Sequence, residues 1–508
     1  MVMPIFTGRS WPQNWDCRPF ARVIELSQYK QTPAGLDYIF HPRSTAVVGT
    51  VPDSQNRFKL GNQFIRILQE FGYKGPLYAV GSEEGEVSGL KVYRNIGDIP
   101  GVVDYVITAI PNRQVPQLVE ECGRKGVRVM HLFVSGFGEI EDVVGLELQQ
   151  EILHTAKKYG IRIIGPNCMG IYCPQSGIAF GLDFSRTPGK VGYLAQSGGQ
   201  CILGIKEAVR RGIYFSKVVS YGNAADINEC DLLEYFTQDN ETDIITAYIE
   251  GTNHGPRLLR ALTDAAAKKP VIVFKCAVTE GGAQAAVSHT SAIAGSGLTW
   301  ETMLRQAGAI RVYSVMEMFD VVSMLQRCPE IKGLNTLVLG HGGGSCVQAS
   351  DDSCRAGLKM PLLPVELRQS LMKVYKTDAG NIFKNPLDIN PYWGIDKAKE
   401  AFNAVAGWDG LDLVLLHSTP EQDPFVPRDF QYQLHTDTLI EWAKLSTKPV
   451  VLVMTTNTAH GDDGLAEKSF NRALEAGFAV FPSVERAATA VFRVYGYYQR
   501  QRRLSGKL

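Results

Sequence analysis

The sequence predicts three consecutive α/β domains, each built on a mostly parallel sheet with helices on both faces. Three observations predict it. Short β-branched runs of strand length alternate with amphipathic helical stretches along nearly the whole chain. Several runs lead into glycine-bearing turns, some of which open a helix. The chain has 508 residues, and at roughly 150 residues per domain that is about three domains. Apolar residues make up 45% and charged residues 20%, a balance that fills cores.

Residues 1–34 read as an irregular arm carrying Pro4, Trp11 and Trp15. The first domain, 35–155, opens on a β-branched run at 44–49, followed by an amphipathic segment at 61–71. Strand patterns recur at 76–80, 105–111 and 127–134, with a helical pattern at 115–125. The second domain, 156–325, takes its strands from 162–164 onward, then from 190–195, 216–220, 244–250 and 271–275. The third domain, 326–508, has strands at 335–340, 411–417 and 450–454, with about 320–334 as the connector. Strands alternating with helices mean parallel sheets covered on both faces.

Lys plus Arg equals Asp plus Glu, 52 each. No overall basic field argues for nucleic acid or an anionic membrane. The ten cysteines form no Cys-x-x-Cys pair, and no Cys/His set has zinc spacing, so no metal site is expected. A chain this long needs no disulfides, and reduced thiols in the cytoplasm are the expectation. The N-terminus has no apolar run of signal length, and no stretch approaches the ~18 apolar residues of a membrane span.

Ser288-His289-Thr290-Ser291-Ala292-Ile293-Ala294-Gly295-Ser296-Gly297 sets a single histidine among small residues, just beyond the strand at 271–275. A histidine there can be reached and can move, and its imidazole is a nucleophile near neutral pH that can carry a phosphoryl group. Glu250 stands where the strand at 244–249 ends. A carboxylate at that point can orient one imidazole nitrogen and raise the nucleophilicity of the other. Gln196-Ser197-Gly198-Gly199-Gln200 and His341-Gly342-Gly343-Gly344-Ser345 each follow a strand and open a helix. Bare amides in such a first turn hold phosphate. The same stretches also fit a polar loop histidine, a solvated glutamate and two tight β-to-α turns. The turn after Gly49 is not Gly-x-Gly-x-x-Gly, and Gly-x-x-x-x-Gly-Lys-Ser/Thr is absent. A nicotinamide site is therefore poorly supported, and an ATP site belongs elsewhere.

Further motifs accompany these. Leu36-Asp37-Tyr38-Ile39-Phe40-His41-Pro42-Arg43-Ser44 opens the first domain, and Gly165-Pro166-Asn167-Cys168-Met169-Gly170 opens the second. Ser220-Tyr221-Gly222-Asn223-Ala224-Ala225-Asp226 and Asp231-Leu232-Leu233-Glu234-Tyr235 precede Glu250, and Asn385-Pro386-Leu387-Asp388 lies in the third domain. With the loop at 279–290, these resemble the α subunit of ADP-forming acyl-CoA synthetases, in the superfamily of succinyl-CoA synthetase, over roughly residues 35–500.

The resemblance implies a Rossmann-like CoA-binding domain over 35–155 and flavodoxin-like ligase domains over 156–325 and 326–508. It makes His289 the phosphorylated residue and Glu250 its orienting partner. The helices beginning at Ser197-Gly198-Gly199 and Gly343-Gly344-Ser345 aim their dipoles at the phosphate. CoA lies near Gly49, Thr50, Lys59, Gly61, Ile110 and Pro111, and near Ser135, Gly136 and Phe137. A small carboxylic acid sits near Asn167, Gly222, Asn223 and His341, with Trp393 as a candidate wall. The implied cofactors are coenzyme A and ATP/ADP with Mg. The nucleotide belongs on a separate ATP-grasp β subunit, in an α2β2 assembly, because this chain has no such module. Val278, Ser291 and His341 depart from the family pattern. A non-catalytic CoA- or acyl-CoA-binding regulatory module is the alternative, and such modules typically lack the histidine.

Overall fold

A computed structural model of the chain describes residues 33–140, 143–282, 284, 296–375, 382–389, 395–420, 425–455, 464–504 and 506. Three sheets carry the fold. The first contains β1 (Thr45–Val48), β2 (Leu77–Val80), β3 (Glu86–Val87), β4 (Leu90–Tyr93), β5 (Tyr105–Thr108), β6 (Val129–Leu132) and β7 (Arg162–Ile164), in the order β3-β4-β2-β1-β5-β6-β7. All pairings are parallel except β3 with β4.

The second sheet contains β8 (Gly170–Tyr172), β9 (Val191–Ala195), β10 (Phe215–Ser220), β11 (Ile244–Ile249), β12 (Val271–Lys275) and β13 (Ile310–Val312), in the order β13-β12-β11-β9-β10-β8. Only β8 runs antiparallel. The third contains β14 (Thr336–Gly340), β15 (Ile382–Phe383), β16 (Leu387–Asp388), β17 (Leu413–Ser418), β18 (Val450–Met454) and β19 (Val480–Phe481), in the order β15-β16-β14-β17-β18-β19. Strands β9, β10, β11, β14, β17 and β18 are buried along their whole length. That is why most of them read as largely apolar runs rather than alternating ones, β10 being the exception with Ser216, Lys217 and Ser220.

Two expectations change. Residues 162–164, assigned from sequence to the second domain, pair with β6 as the edge of the first sheet. The helix Val143–Tyr159 supplies the crossover, returning the chain parallel to the strand it left. The stretch at 320–334 is not wholly a connector, because the helix Val315–Arg327 occupies its first half. That helix buries Met318, Phe319, Val321 and Val322. It packs against the last helix, Val484–Leu504, where Arg486 grips Asp320 through bonds of 2.7 and 2.6 Å. One apolar cluster runs from Phe64 of the first unit through Tyr193, Phe215 and Phe319 of the second to Val453 and Val491 of the third. The sheets are thereby joined by apolar core as well as by chain. Among the described residues, no helix is long and apolar enough to cross a membrane.

Candidate active site

In parallel α/β sheets, ligands gather beyond the carboxyl ends of the strands. Here the carboxyl ends of the first two sheets share a cleft of about 530 Å³. Leu60, Ile110, Pro111 and Ser135 line it from the first unit, and Asn167, Gln196, Ser197, Gly198 and Gly199 from the second. Residues expected from sequence to serve CoA, acid and phosphate thus meet on one surface.

Ser197 caps the helix Gly198–Arg210, its hydroxyl accepting the Gln200 amide at 3.5 Å. A Cβ added at Gly199 would meet nothing within 4 Å, so the first turn stays open on the cleft side. Exposed amides and the helix dipole make this end a seat for an anion.

Glu250 is buried, 6% exposed, rather than solvated. The side-chain oxygen of Gln196 accepts both the Glu250 amide at 2.8 Å and the Gly251 amide at 3.1 Å. The Tyr248 hydroxyl donates to Glu250 Oε1 at 3.2 Å. Burial raises the Tyr248 pKa, which keeps that hydroxyl protonated as a donor. Next door, β12 ends at Lys275, whose register partner is Ile249. The Lys275 ammonium is 2% exposed. It donates to the Glu250 carbonyl at 2.6 Å and also to the Cys276 carbonyl, and lies 4.9 Å from the Trp300 ring centre. Burial draws its pKa down to about 8. The segment carrying His289 therefore leaves the sheet beside Glu250. His289 itself, with 285–295, lies outside the described residues, as do residues 1–32 of the arm and Trp393.

Asn167, Gly222 and Asn223 come together as expected. The Asn223 amide donates to the Pro166 carbonyl at 3.0 Å, and Asn167 Nδ2 donates to Asn223 Oδ1 at 3.4 Å. Gly222 has φ +54°, and a Cβ there would lie 2.3 Å from the Pro166 carbonyl oxygen. Only glycine lets these two loops close on each other.

The expected CoA residues divide. Ile110, Pro111 and Ser135 face the cleft. Lys59 is exposed, immediately before the helix Leu60–Phe71, where a cation and a helix N-terminus both favour phosphate. Gly49 and Gly61 allow close packing: a Cβ on Gly61 would lie 2.5 Å from the Gly49 carbonyl oxygen. Thr50 is 2% exposed, and its hydroxyl donates to the Val80 carbonyl at 3.0 Å. Phe137 is fully buried in the first unit's core, so its ring contributes packing rather than ligand contact. The amides of Gly136 and Phe137 are taken by Glu139, at 2.5 and 3.1 Å.

The third sheet's turn does not line this cleft. The Gly342 amide, just ahead of the helix Gly343–Arg355, donates to Asp388 Oδ1 at 2.9 Å. His341 Nδ1 is 3.8 Å from the same oxygen, and burial raises the Asp388 pKa. His417, 4% exposed, has its Nε2 3.6 Å from Cys346 Sγ, and burial lowers its pKa to about 4. Sequence reasoning gave no role to Gln196, Glu139, Lys275 or Asp388. The available signal was a charged or amide side chain placed beside a strand end or glycine turn.

Residues 43–174 match a CoA binding domain, and residues 188–325 match a succinyl-CoA ligase like flavodoxin domain. The chain is 37% identical over 359 residues to the α subunit of an ADP-forming acetate–CoA ligase I from Pyrococcus furiosus, covering 70% of this chain and 76% of that one. It is 34% identical over 388 residues to an ADP-forming acetate–CoA ligase I from Archaeoglobus fulgidus, covering 76% of this chain but only 55% of that longer relative. The solved structure of a dinucleotide forming acetyl-coenzyme A synthetase 1 from Ca. Korarchaeum cryptofilum, in complex with phosphate and ADP, is similar with a TM-score of 0.77 and 29% identity, covering 93% of this chain and 99% of that one. Kinship at this level, across two matched domains and most of a known α subunit, places the chain in the ADP-forming acyl-CoA synthetase family of the succinyl-CoA synthetase superfamily.

Proposed function

We propose that this chain is the α-type component of an acid–CoA ligase that converts a small carboxylic acid, CoA and ATP into acyl-CoA, ADP and phosphate. The observation that carries the reading is the shared cleft, where Ile110, Pro111 and Ser135 face the helix N-terminus at Ser197 to Gly199. A thiol entering from the first unit and a phosphate seated on the second meet there.

A carboxylate is a poor electrophile, and phosphorylating one of its oxygens creates a leaving group. On this reading an imidazole nitrogen of His289 attacks the terminal phosphorus of ATP and ADP departs. The acid's carboxylate oxygen then attacks that phosphorus, freeing the imidazole and forming an acyl phosphate. The CoA sulfur, losing its proton, attacks the acyl carbon, and phosphate leaves. Glu250, fixed by Gln196 and Tyr248, is suited to hold one imidazole nitrogen. The amides at Ser197 to Gly199 are preorganised for phosphate, and those at Gly343 to Ser345 serve as the second seat. Asn167, Gly222 and Asn223 border the acid at the cleft, and His341, whose turn does not line the cleft, is assigned to the acid by the family resemblance alone; acetate is the first acid to test because it appears in the relatives' names. CoA runs past Lys59 into the cleft.

The nucleotide, with its Mg, belongs on a separate ATP-grasp β subunit, in an α2β2 assembly. The subunit naming of the Pyrococcus relative supports a divided enzyme. The test is incubation with γ-labelled ATP, with and without such a partner. Acid-labile, base-stable label on this chain, lost in His289→Asn, is the expected result. A competent complex that makes acyl-CoA and never labels the chain overturns the mechanism.

A further inference from the structure

Glu139 is a buried carboxylate, 6% exposed, that forms no ion pair among the described residues. Between them its two oxygens accept from both domains. Oε1 accepts the Gly136 amide at 2.5 Å, while Oε2 accepts the Phe137 amide at 3.1 Å and Asn223 Nδ2 at 2.6 Å. Gly136 and Phe137 follow Ser135, which lines the cleft in the first unit. Asn223 belongs to the second unit and accepts from Asn167, which lines the opposite side. Asn112 Nδ2 holds the same loop from behind, donating to the Gly136 carbonyl at 2.6 Å. A buried charge is costly unless hydrogen bonds satisfy it. Here N–H donors alone satisfy it, and they come from the two walls that CoA and acyl group must approach together.

We propose that Glu139 is a positioning residue that locks the Ser135–Phe137 loop of the CoA-binding domain to Asn223 of the ligase domain, and so sets the register of thiol against acyl group. This rests on the ligase reading above. It predicts a role in thioester formation and none in phosphorylation of the chain, because Glu139 touches neither the Glu250 strand end nor the Ser197 turn. Replacement by glutamine keeps the shape but supplies one acceptor oxygen and one NH2 donor. Either the loop amides or Asn223 then face a donor, and the lock opens at one end.

The experiment uses the full chain with its ATP-grasp partner and separates the two halves of the reaction. Glu139→Gln should acquire label from γ-labelled ATP within twofold of the unaltered chain. Its discharge by acetate plus CoA should be at least tenfold slower at fixed subsaturating CoA, with KM for CoA raised more than kcat is lowered. Asn223→Asp keeps an oxygen to accept from Asn167 but sets its other oxygen against Glu139 Oε2, which then has no donor there. KM for CoA should rise at least tenfold with KM for acetate unchanged, and this variant carries the test should Glu139→Gln fail to fold; a rise in KM for acetate alone overturns the inference. Discharge as fast as in the unaltered chain overturns the inference, as does a parallel loss of labelling and discharge in folded protein. An unaltered complex that makes acyl-CoA and never labels overturns the ligase mechanism itself, a result distinct from both.

Discussion

Gln196 and Glu250 meet across the carboxyl edge of the second sheet: one side-chain oxygen on Gln196 accepts the Glu250 amide at 2.8 Å and the Gly251 amide at 3.1 Å. Gln196 directly follows β9 and Glu250 directly follows β11, which are neighbours in the sheet. The bond therefore sets where the glutamate stands relative to the helix opening at Gly198. Gln196→Leu leaves two buried amides without an acceptor, at about 1–3 kcal/mol each. Thermal unfolding should report that loss. Labelling of His289 by ATP should fall at least tenfold in the protein that remains folded, and unchanged labelling would show that Glu250 needs no such support.

Two glycines in the first turns of helices should answer differently to the same added methyl group. Gly61→Ala pushes a carbon to 2.5 Å from the Gly49 carbonyl oxygen, where backbone must move. The expected cost is about 1–3 kcal/mol, with CoA affinity reduced as the turn bearing Lys59 shifts. Gly199→Ala meets open space and should leave the unfolding midpoint unchanged. Its methyl group enters the cleft, so weaker phosphate binding is expected without loss of fold. Calorimetry on both variants separates the two outcomes.

Lys275 links stability to alkaline pH. Burial lowers its pKa from the ordinary 10.5 to about 8 in the folded chain. Between those values the unfolded chain keeps a proton that the folded chain has released. Stability conferred by this site therefore rises as pH climbs from about 8 toward 10.5 and is reduced below that window. Lys275→Met should remove that rise and loosen the tie between the Glu250 and Cys276 carbonyls. Urea unfolding of both proteins at pH 7.5 and 9.5 checks the difference.

His131 does the same on the acid side. It is a fully buried residue of β6 in the first sheet, its Nε2 3.1 Å from the Cys168 carbonyl oxygen. Burial lowers its pKa from 6.5 to about 4. Its contribution is complete above pH 6.5 and is lost as pH falls toward 4, on the order of 3 kcal/mol for a shift of this size. His131→Gln should flatten the acid limb of the stability profile, read by urea unfolding at pH 7 and pH 4.5.

The α/β alternation was legible because buried parallel strands leave largely apolar runs, and the helix openings at Gly198 and Gly343 because glycine turns mark them locally. The sheet to which 162–164 belongs was not legible. A strand of three residues, Arg162-Ile163-Ile164, fits either sheet, and the choice rests on the crossover helix Val143–Tyr159 packing back onto the first. Glu139 and Gln196 were given no role for a related reason. Their partners lie 84 residues away at Asn223 and 54 away at Glu250, and no local pattern signals such a pair.

By itself the sequence determined the fold class, the two helices that open at glycine turns after Ser197 and Gly342, and a resemblance centred on His289 and Glu250. Hydrophobic period, turn chemistry and motif spacing are properties of neighbouring residues and survive without coordinates. The tertiary structure alone decided that the CoA-side residues and the Ser197 turn share one cleft, that Thr50 and Phe137 serve the core, and that Glu139 bridges two domains. Those outcomes depend on strand order and on which loops converge at the carboxyl ends of the sheets. Buried hydrogen bonds form only between groups that this convergence brings within about 3 Å.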